Sequence, residues 1–174
     1  TCLFASSLAV AACGGATPSG TPPAGPPARP SILLVTLDTT RADAIGPEAR
    51  GVETPAFNAV ALRGRRFRQA YTTAPETLPA HSSRMTGLYP GGHGVHENAR
   101  HLADTHPVVA ARLKDAGYRT AAFVSSFILA RRFGLARGFE VYDDALPAGR
   151  VERTSRETTD RALAYLGQAS SQPV

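Results

Sequence analysis

From Ser31 to Leu37 the chain reads SILLVTL, an apolar, β-rich run without alternation, which is the pattern of a parallel strand covered on both faces. The run stops at Asp38 and the following TTRAD is polar, so a carboxylate falls just past the carboxyl end of a strand, where open α/β sheets place their ligand chemistry. Thr54-Pro55 has the form of an N-cap followed by proline at the first helical position. It predicts a helix through Arg63 with Phe57, Val60 and Ala61 among its apolar positions. Arg66 to Tyr71 reads as a short strand, and Leu78 to Thr86 as a short helix that starts just after Thr77 and is stopped by Gly87. Pro107 to Ala116 is amphipathic, with Val108, Ala111 and Leu113 inward, and ends at Gly117. Thr120 to Val124 is the next strand. A helix over residues 154–166 carries Thr154 as its cap, Glu157 as the box partner, and Leu163 and Leu166 on one face. Gln172-Pro173-Val174 reads as the start of a further strand. No internal repeat interrupts the alternation of strand and helix, which predicts an α/β fold on a mostly parallel sheet.

The first 30 residues stand outside this pattern. Residues 3–12, LFASSLAVAA, are apolar and end in small residues just before Cys13. That is too short to span a membrane, which takes about 20 apolar residues, and it reads as the h-region of a signal peptide without its basic n-region. The one methionine, Met85, is internal. Val10-Ala11-Ala12-Cys13 resembles a bacterial lipobox, so residues 1–13 are expected to be a truncated lipoprotein signal with lipid attached at Cys13. An ordinary signal peptide that contains cysteine is the other reading. Residues 14–30 hold four Gly and six of the 14 Pro, a composition that builds neither ladder nor core and serves as an extended tether. The folded domain is then residues 31–174, expected to be lipid-anchored in the cell envelope, outside the cytoplasmic membrane, at the periplasmic or cell-surface side.

Composition narrows the chemistry. The two cysteines, Cys2 and Cys13, both precede the domain, which excludes a disulfide framework, a cysteine zinc site and a cysteine nucleophile within it. The net charge is +5, and every basic residue except Lys114 is arginine. Arginine suits bidentate contact with sulfate, phosphate or carboxylate groups. No stacking aromatics are interleaved with the arginines, which disfavours a nucleic-acid partner.

Four blocks carry a resemblance: ILLVTLDTTRAD, APETLPAHSSRMTGLYPGGHGVHEN, LKDAGYRTAAFV and FGLARGFEVYDD. Their order and spacing over residues 31–144 resemble the N-terminal half of sulfatase-family hydrolases of the alkaline phosphatase superfamily. The resemblance implies an alkaline-phosphatase-like three-layer α/β fold with a mostly parallel sheet, of which this is the N-terminal portion. It also implies an anionic ester substrate and one divalent metal ion, Ca, Mn or Mg. In that family the first strand delivers a metal-binding carboxylate, which here falls on Asp38. An ionised oxygen ligand suits a hard cation that polarises a sulfuryl or phosphoryl oxygen. Many sulfatases carry two adjacent aspartates there, whereas this chain has Asp38-Thr39. Asp43 is read as structural.

True sulfatases hold a Cys-x-Pro-x-Arg or Ser-x-Pro-x-Arg segment before a Thr-Gly, and oxidise its first residue to formylglycine. In that register stand Thr77-Leu78-Pro79-Ala80-His81, so no formylglycine is expected. The resemblance to phosphodiesterases and phosphoglycerol transferases instead implies Thr77 as a metal-bound nucleophile, its place at a helix start aiming backbone N–H groups at the incoming anion. An ordinary N-cap is the alternative for Thr77. His81, four residues on, shares its helix face and is a candidate donor to substrate or proton carrier, with a packed histidine as the other reading. Asn98 corresponds to an asparagine that holds a non-bridging oxygen in phosphonate and phosphodiester hydrolases; a turn asparagine is its alternative. His93 reads as architectural, tying its loop to the sheet, and His96, His101 and His106 as exposed.

Ser125-Ser126-Phe127-Ile128 occupies the place of the sulfatase Gly-Lys-x-His segment, so that lysine and histidine are absent. Arg131, Arg132 and Arg137 are either anion-attracting or a solvated basic face. Asp38 and Thr77 alone do not complete a metal shell, and the family draws its other ligands from later in the domain. The 174-residue chain is therefore expected to be inactive alone. The competing expectation is a truncated or degenerate surface lipoprotein that serves as a binding module.

Overall fold

The computed structural model describes residues 29–168, 170 and 172–174. The signal-like segment, Cys13 and nearly all of the tether lie outside the described residues. Helices α1 (Pro55–Arg63), α2 (Thr77–Thr86), α3 (Pro90–His93), α4 (Val109–Asp115) and α5 (Ser155–Leu166) accompany strands β1 (Ala121–Phe123) and β2 (Val141–Asp143). The strands pair in parallel, with Ala121 opposite Val141, Ala122 opposite Tyr142 and Phe123 opposite Asp143. The sequence pattern assigned no element to 141–143. Among the described residues no helix is long and apolar enough to cross a membrane.

The core lies between α2, α4 and the β1–β2 connection. Leu78, Val95, Leu102, Val108, Leu129, Phe133 and Leu135 are buried together, and the Phe127 and Phe133 rings meet edge to face at 5.7 Å. Gly138 has φ +82° and passes so close to α4 that a Cβ there would overlap the Ala111 backbone, so glycine is required in a left-handed position at a close approach. On the other side of the sheet, Tyr165 of α5 packs against Phe123.

Helix α5 forms as its sequence predicts, because Thr154 and Glu157 make the reciprocal capping box. Its buried residue is Tyr165, however, while Leu163 and Leu166 are exposed. The sheet is covered by the α5 face that carries the larger ring. Helix α4 is one turn shorter than predicted and begins after Val108.

Two predicted strands are not formed. Residues 31–37 have no strand ladder, and Ile32, Leu33, Leu34, Val35 and Leu37 are all exposed. A parallel strand covered on both faces needs a neighbour along its length, and the described residues supply one only at the start. There Ile32 N–H donates to Val174 O (2.6 Å) and Arg119 N–H donates to Pro173 O (2.9 Å), which places residues 173–174 between Ile32 and Arg119, although residues 172–174 are not a strand. Residues 66–71 are likewise irregular and exposed. Arg66 there pairs with Glu48.

Candidate functional site

Helix α2 presents its first turn to the segment around Asp38. Thr77 is the first helical residue, and Glu76, not Thr77, occupies the N-cap position. That removes the reading of Thr77 as an ordinary cap, because its hydroxyl faces away from the helix backbone. Thr77 Oγ1 donates to the Asp38 carboxylate, 3.1 Å from Oδ2 and 3.4 Å from Oδ1. The two residues are 39 positions apart in the chain, so tertiary structure brings them together.

Asn98 reaches the same helix end. Its Oδ1 accepts from Leu78 N–H at 2.9 Å, and its own backbone N–H donates to Glu76 Oε2 at 2.9 Å. Once Oδ1 is committed to the helix, the amide NH₂ is the Asn98 group left to donate. Leu78 N–H is spent on that bond, Pro79 has no N–H and Ala80 N–H donates to Glu76 O at 3.1 Å, so the first turn offers an anion fewer backbone donors than its place at a helix start implies. Sequence reasoning missed Glu76; its only signal was its place immediately before Thr77.

His81 is buried, 8% exposed, and both ring nitrogens are engaged. Nδ1 lies 2.7 Å from Thr77 O and Nε2 lies 3.2 Å from Thr36 Oγ1. A carbonyl can only accept, so Nδ1 carries the hydrogen and Nε2 accepts from the Thr36 hydroxyl. Burial depresses the His81 pKa, opposed in part by its bond to the Thr77 carbonyl. Thr36 was also missed, although it is the one polar residue that interrupts the apolar 31–37 run.

The backbone is left-handed at two non-glycine residues, Thr39 (φ +50°) and Ala99 (φ +62°). Each directly follows a site residue, Asp38 or Asn98. For a β-branched threonine such a conformation is an outlier, and strain of this kind is held in place by surrounding structure, often at functional sites. Thr39 N–H in turn donates to Asp38 Oδ1 at 3.0 Å.

His93 is buried; Val95 N–H donates to its Nδ1 (3.1 Å), so Nε2–H faces Ser83 Oγ (2.9 Å). The ring thus ties its loop to α2 and not to the sheet, and burial depresses its pKa, aided by His106 and His96. His96 and His101 are exposed while His106 is half-buried, its carbonyl accepting from Arg137. Asp43 pairs with Arg41 at 2.7 Å.

Each of the three arginines has a partner within the fold, and Arg131 and Arg132 are exposed. Arg131 pairs with Asp144 at 2.9 Å. The Arg132 guanidinium lies 4.1 Å from the Phe127 ring centre. Arg137 donates to the carbonyls of Ala103, Asp104 and His106. Ser126 caps a short 3-10 turn, and Ser125 Oγ meets Thr158 Oγ1 at 2.7 Å. Arg153, missed in the sequence, is buried and bonds Asp143 Oδ1 at 2.9 Å, locking the carboxyl end of β2.

Asp38 and Thr77 offer two hard oxygen donors side by side, chemistry that fits one flank of a divalent-cation site. Among the described residues no group of three or more His, Cys, Asp or Glu is placed to hold a metal.

The sulfatase family model matches residues 30–173. The chain belongs to the sulfatase family. Membership implies an alkaline-phosphatase-like α/β fold, with which the parallel pair and its flanking helices agree. The chain is 35% identical to the choline-sulfatase of Rhizobium meliloti (strain 1021) over 95 residues, covering 53% of this chain and 18% of that protein. It is 29% identical to an arylsulfatase of Klebsiella aerogenes over 150 residues, 71% of this chain and 32% of that protein. An uncharacterized sulfatase of Escherichia coli (strain K12) is 31% identical over 93 residues, 53% of this chain and 19% of that protein. The chain therefore spans a third or less of these relatives.

Proposed function

We propose that this chain carries the nucleophile half of a metal-dependent ester hydrolase that acts on sulfate or on phosphate or phosphonate esters, with Thr77 in place of formylglycine. The observation that carries the reading is the hydrogen bond from Thr77 Oγ1 to Asp38 at 3.1 Å. It pairs a weak nucleophile with an acceptor for its proton in the first turn of α2. Asp38 and Thr77 would hold one divalent ion, Ca, Mn or Mg, together with ligands from outside the described residues. When bound, that ion would lower the hydroxyl pKa and polarise the ester oxygen.

Thr77 Oγ1 attacks sulfur or phosphorus in line with the ester bond. The Oγ1–S or Oγ1–P bond forms as the bond to the leaving alkoxide breaks, and the hydroxyl proton departs along the hydrogen bond to Asp38. The Asn98 amide donates to an equatorial oxygen, stabilising developing charge without titrating. Water then cleaves the threonyl ester and returns Thr77 to its hydroxyl form. Sulfate is favoured by the names of the relatives, phosphate or phosphonate by the threonine. Lipid attachment at Cys13 would hold the enzyme at the cell envelope.

The test is a paired assay of the full-length protein with aryl sulfate and phosphate diester substrates. Thr77→Ala is expected to lower the favoured activity by about 10³-fold or more, and Asn98→Ala by about 10²-fold. Retention of both activities in Thr77→Ala overturns the nucleophile. Absence of both in the metal-supplied wild type favours the non-catalytic binding module.

A further inference from the structure

We propose that His81 is a positioning residue, a brace between the first turn of α2 and the segment that carries Asp38, and not a proton carrier. Two hydrogen bonds cross from residues 31–38 to α2: Thr77 Oγ1 to Asp38, and Thr36 Oγ1 to His81 Nε2. Thr36 and Asp38 are two residues apart, a spacing that puts side chains on one side of an extended chain, and both reach the same helix. The other ring nitrogen holds the Thr77 carbonyl at 2.7 Å. The imidazole therefore links the backbone of Thr77 to the strand-like segment two residues before its carboxylate partner.

The brace matters because little else holds that segment. Ile32 to Leu37 are exposed and have no ladder among the described residues, apart from the contact of Ile32 with Val174. Without the Thr36–His81 bond, the Asp38 carboxylate would be held to α2 by the Thr77 hydroxyl alone. A ring with both nitrogens committed and 8% of its surface exposed is poorly placed to exchange a proton with substrate. It is well placed to set the separation of Asp38 and Thr77, and misplacement by about 1 Å can cost about 10²-fold in rate.

This inference rests on the reading of Thr77 as nucleophile for its consequence, but not for its geometry, so the experiment has two arms. In the first, ¹⁵N-edited NMR of the full-length protein reads the His81 ring. A protonated Nδ1 and an unprotonated Nε2 are expected, and Thr36→Val should shift Nε2 while leaving Nδ1 protonated. The opposite tautomer, or no response to Thr36→Val, overturns the brace whether or not Thr77 is the nucleophile.

In the second arm, steady-state kinetics compare three variants. His81→Asn keeps a donor near the Nδ1 position and is expected to retain kcat within about tenfold, the worth of one displaced hydrogen bond. His81→Ala should lose about 10²-fold in kcat with KM little changed, because anion contacts in the ground state remain. Thr36→Val, at an exposed position that leaves the core intact, should fall between them. Equal loss in folded His81→Asn and His81→Ala would assign proton transfer to the ring and overturn the proposal. Full activity in Thr77→Ala would instead remove the nucleophile and leave the first arm standing.

Discussion

Residues 31–75 and residues 76–143 are both rich in apolar side chains, yet only the second stretch buries them. Among the described residues before Glu76, Gly46 alone is buried; Leu33 is 72% exposed and Leu62 85%. From Glu76 onward, Leu78, Val95 and Leu102 are fully buried. The difference lies in the partners that tertiary structure supplies. Helix α2 meets α3, α4 and the β1–β2 connection, whereas α1 has no buried residue and Thr54 makes no capping bond to it. Thr54 Oγ1 is instead taken by Gly46 N–H at 3.0 Å. The candidate site lies on the seam between the two stretches, with Asp38 and Thr36 from the loosely held side and Thr77, His81 and Asn98 from the packed side.

The contrast can be broken at its firm end first. Leu102→Ala removes a fully buried side chain and is expected to destabilise the protein by about 2–5 kcal/mol, read from the urea midpoint. A loss below about 1 kcal/mol would mean that the 76–143 core is not the cooperative unit.

Ala99→Gly tests whether the seam is strained. Glycine removes the left-handed penalty at φ +62° at the cost of added unfolded-state freedom, so a gain of about 0.5–1 kcal/mol is expected. A fall in activity accompanying that gain would tie the strain to the placement of Asn98.

Helix α5 supplies a control, since it is mostly exposed like α1 but keeps its cap. The Thr154 N–H and hydroxyl, with Arg150, pull the Glu157 carboxyl from its ordinary 4.5 to about 2. The group is more acidic in the folded state, so its contribution is full above about pH 4.5 and is lost as pH falls through about 2. Helical shifts of residues 155–158 should weaken across that window, and Glu157→Gln should abolish the dependence.

The smallest effect belongs to the loose stretch. Leu34→Ser exchanges an exposed side chain and should change stability by less than about 0.5 kcal/mol. A cost above 2 kcal/mol would show that residues 31–37 are covered in solution.

The candidate site residues were picked out through the family resemblance of short motifs. Thr77-x-Pro-x-His, Asp38 after an apolar run and Asn98 in its loop are patterns of neighbouring residues, and the capping box of α5 could be read letter by letter. Glu76 and Thr36 were not legible, because each acts only through a partner remote in sequence: Asn98 for one, His81 for the other. The 31–37 run was read as a covered strand because an apolar pattern records what a segment can bury and carries no record of whether a neighbour is there to cover it.

The sequence by itself determined where α2 and α4 stop, the capping box that opens α5, and the family to which the chain belongs. Tertiary structure alone decided that the Thr77 hydroxyl meets Asp38, that both His81 nitrogens are spent on Thr77 and Thr36, and that Arg131 and Arg137 find partners remote in sequence. Helix signals are set by residues within a turn of one another, whereas a hydrogen bond across 39 or 45 positions exists only once the chain has packed.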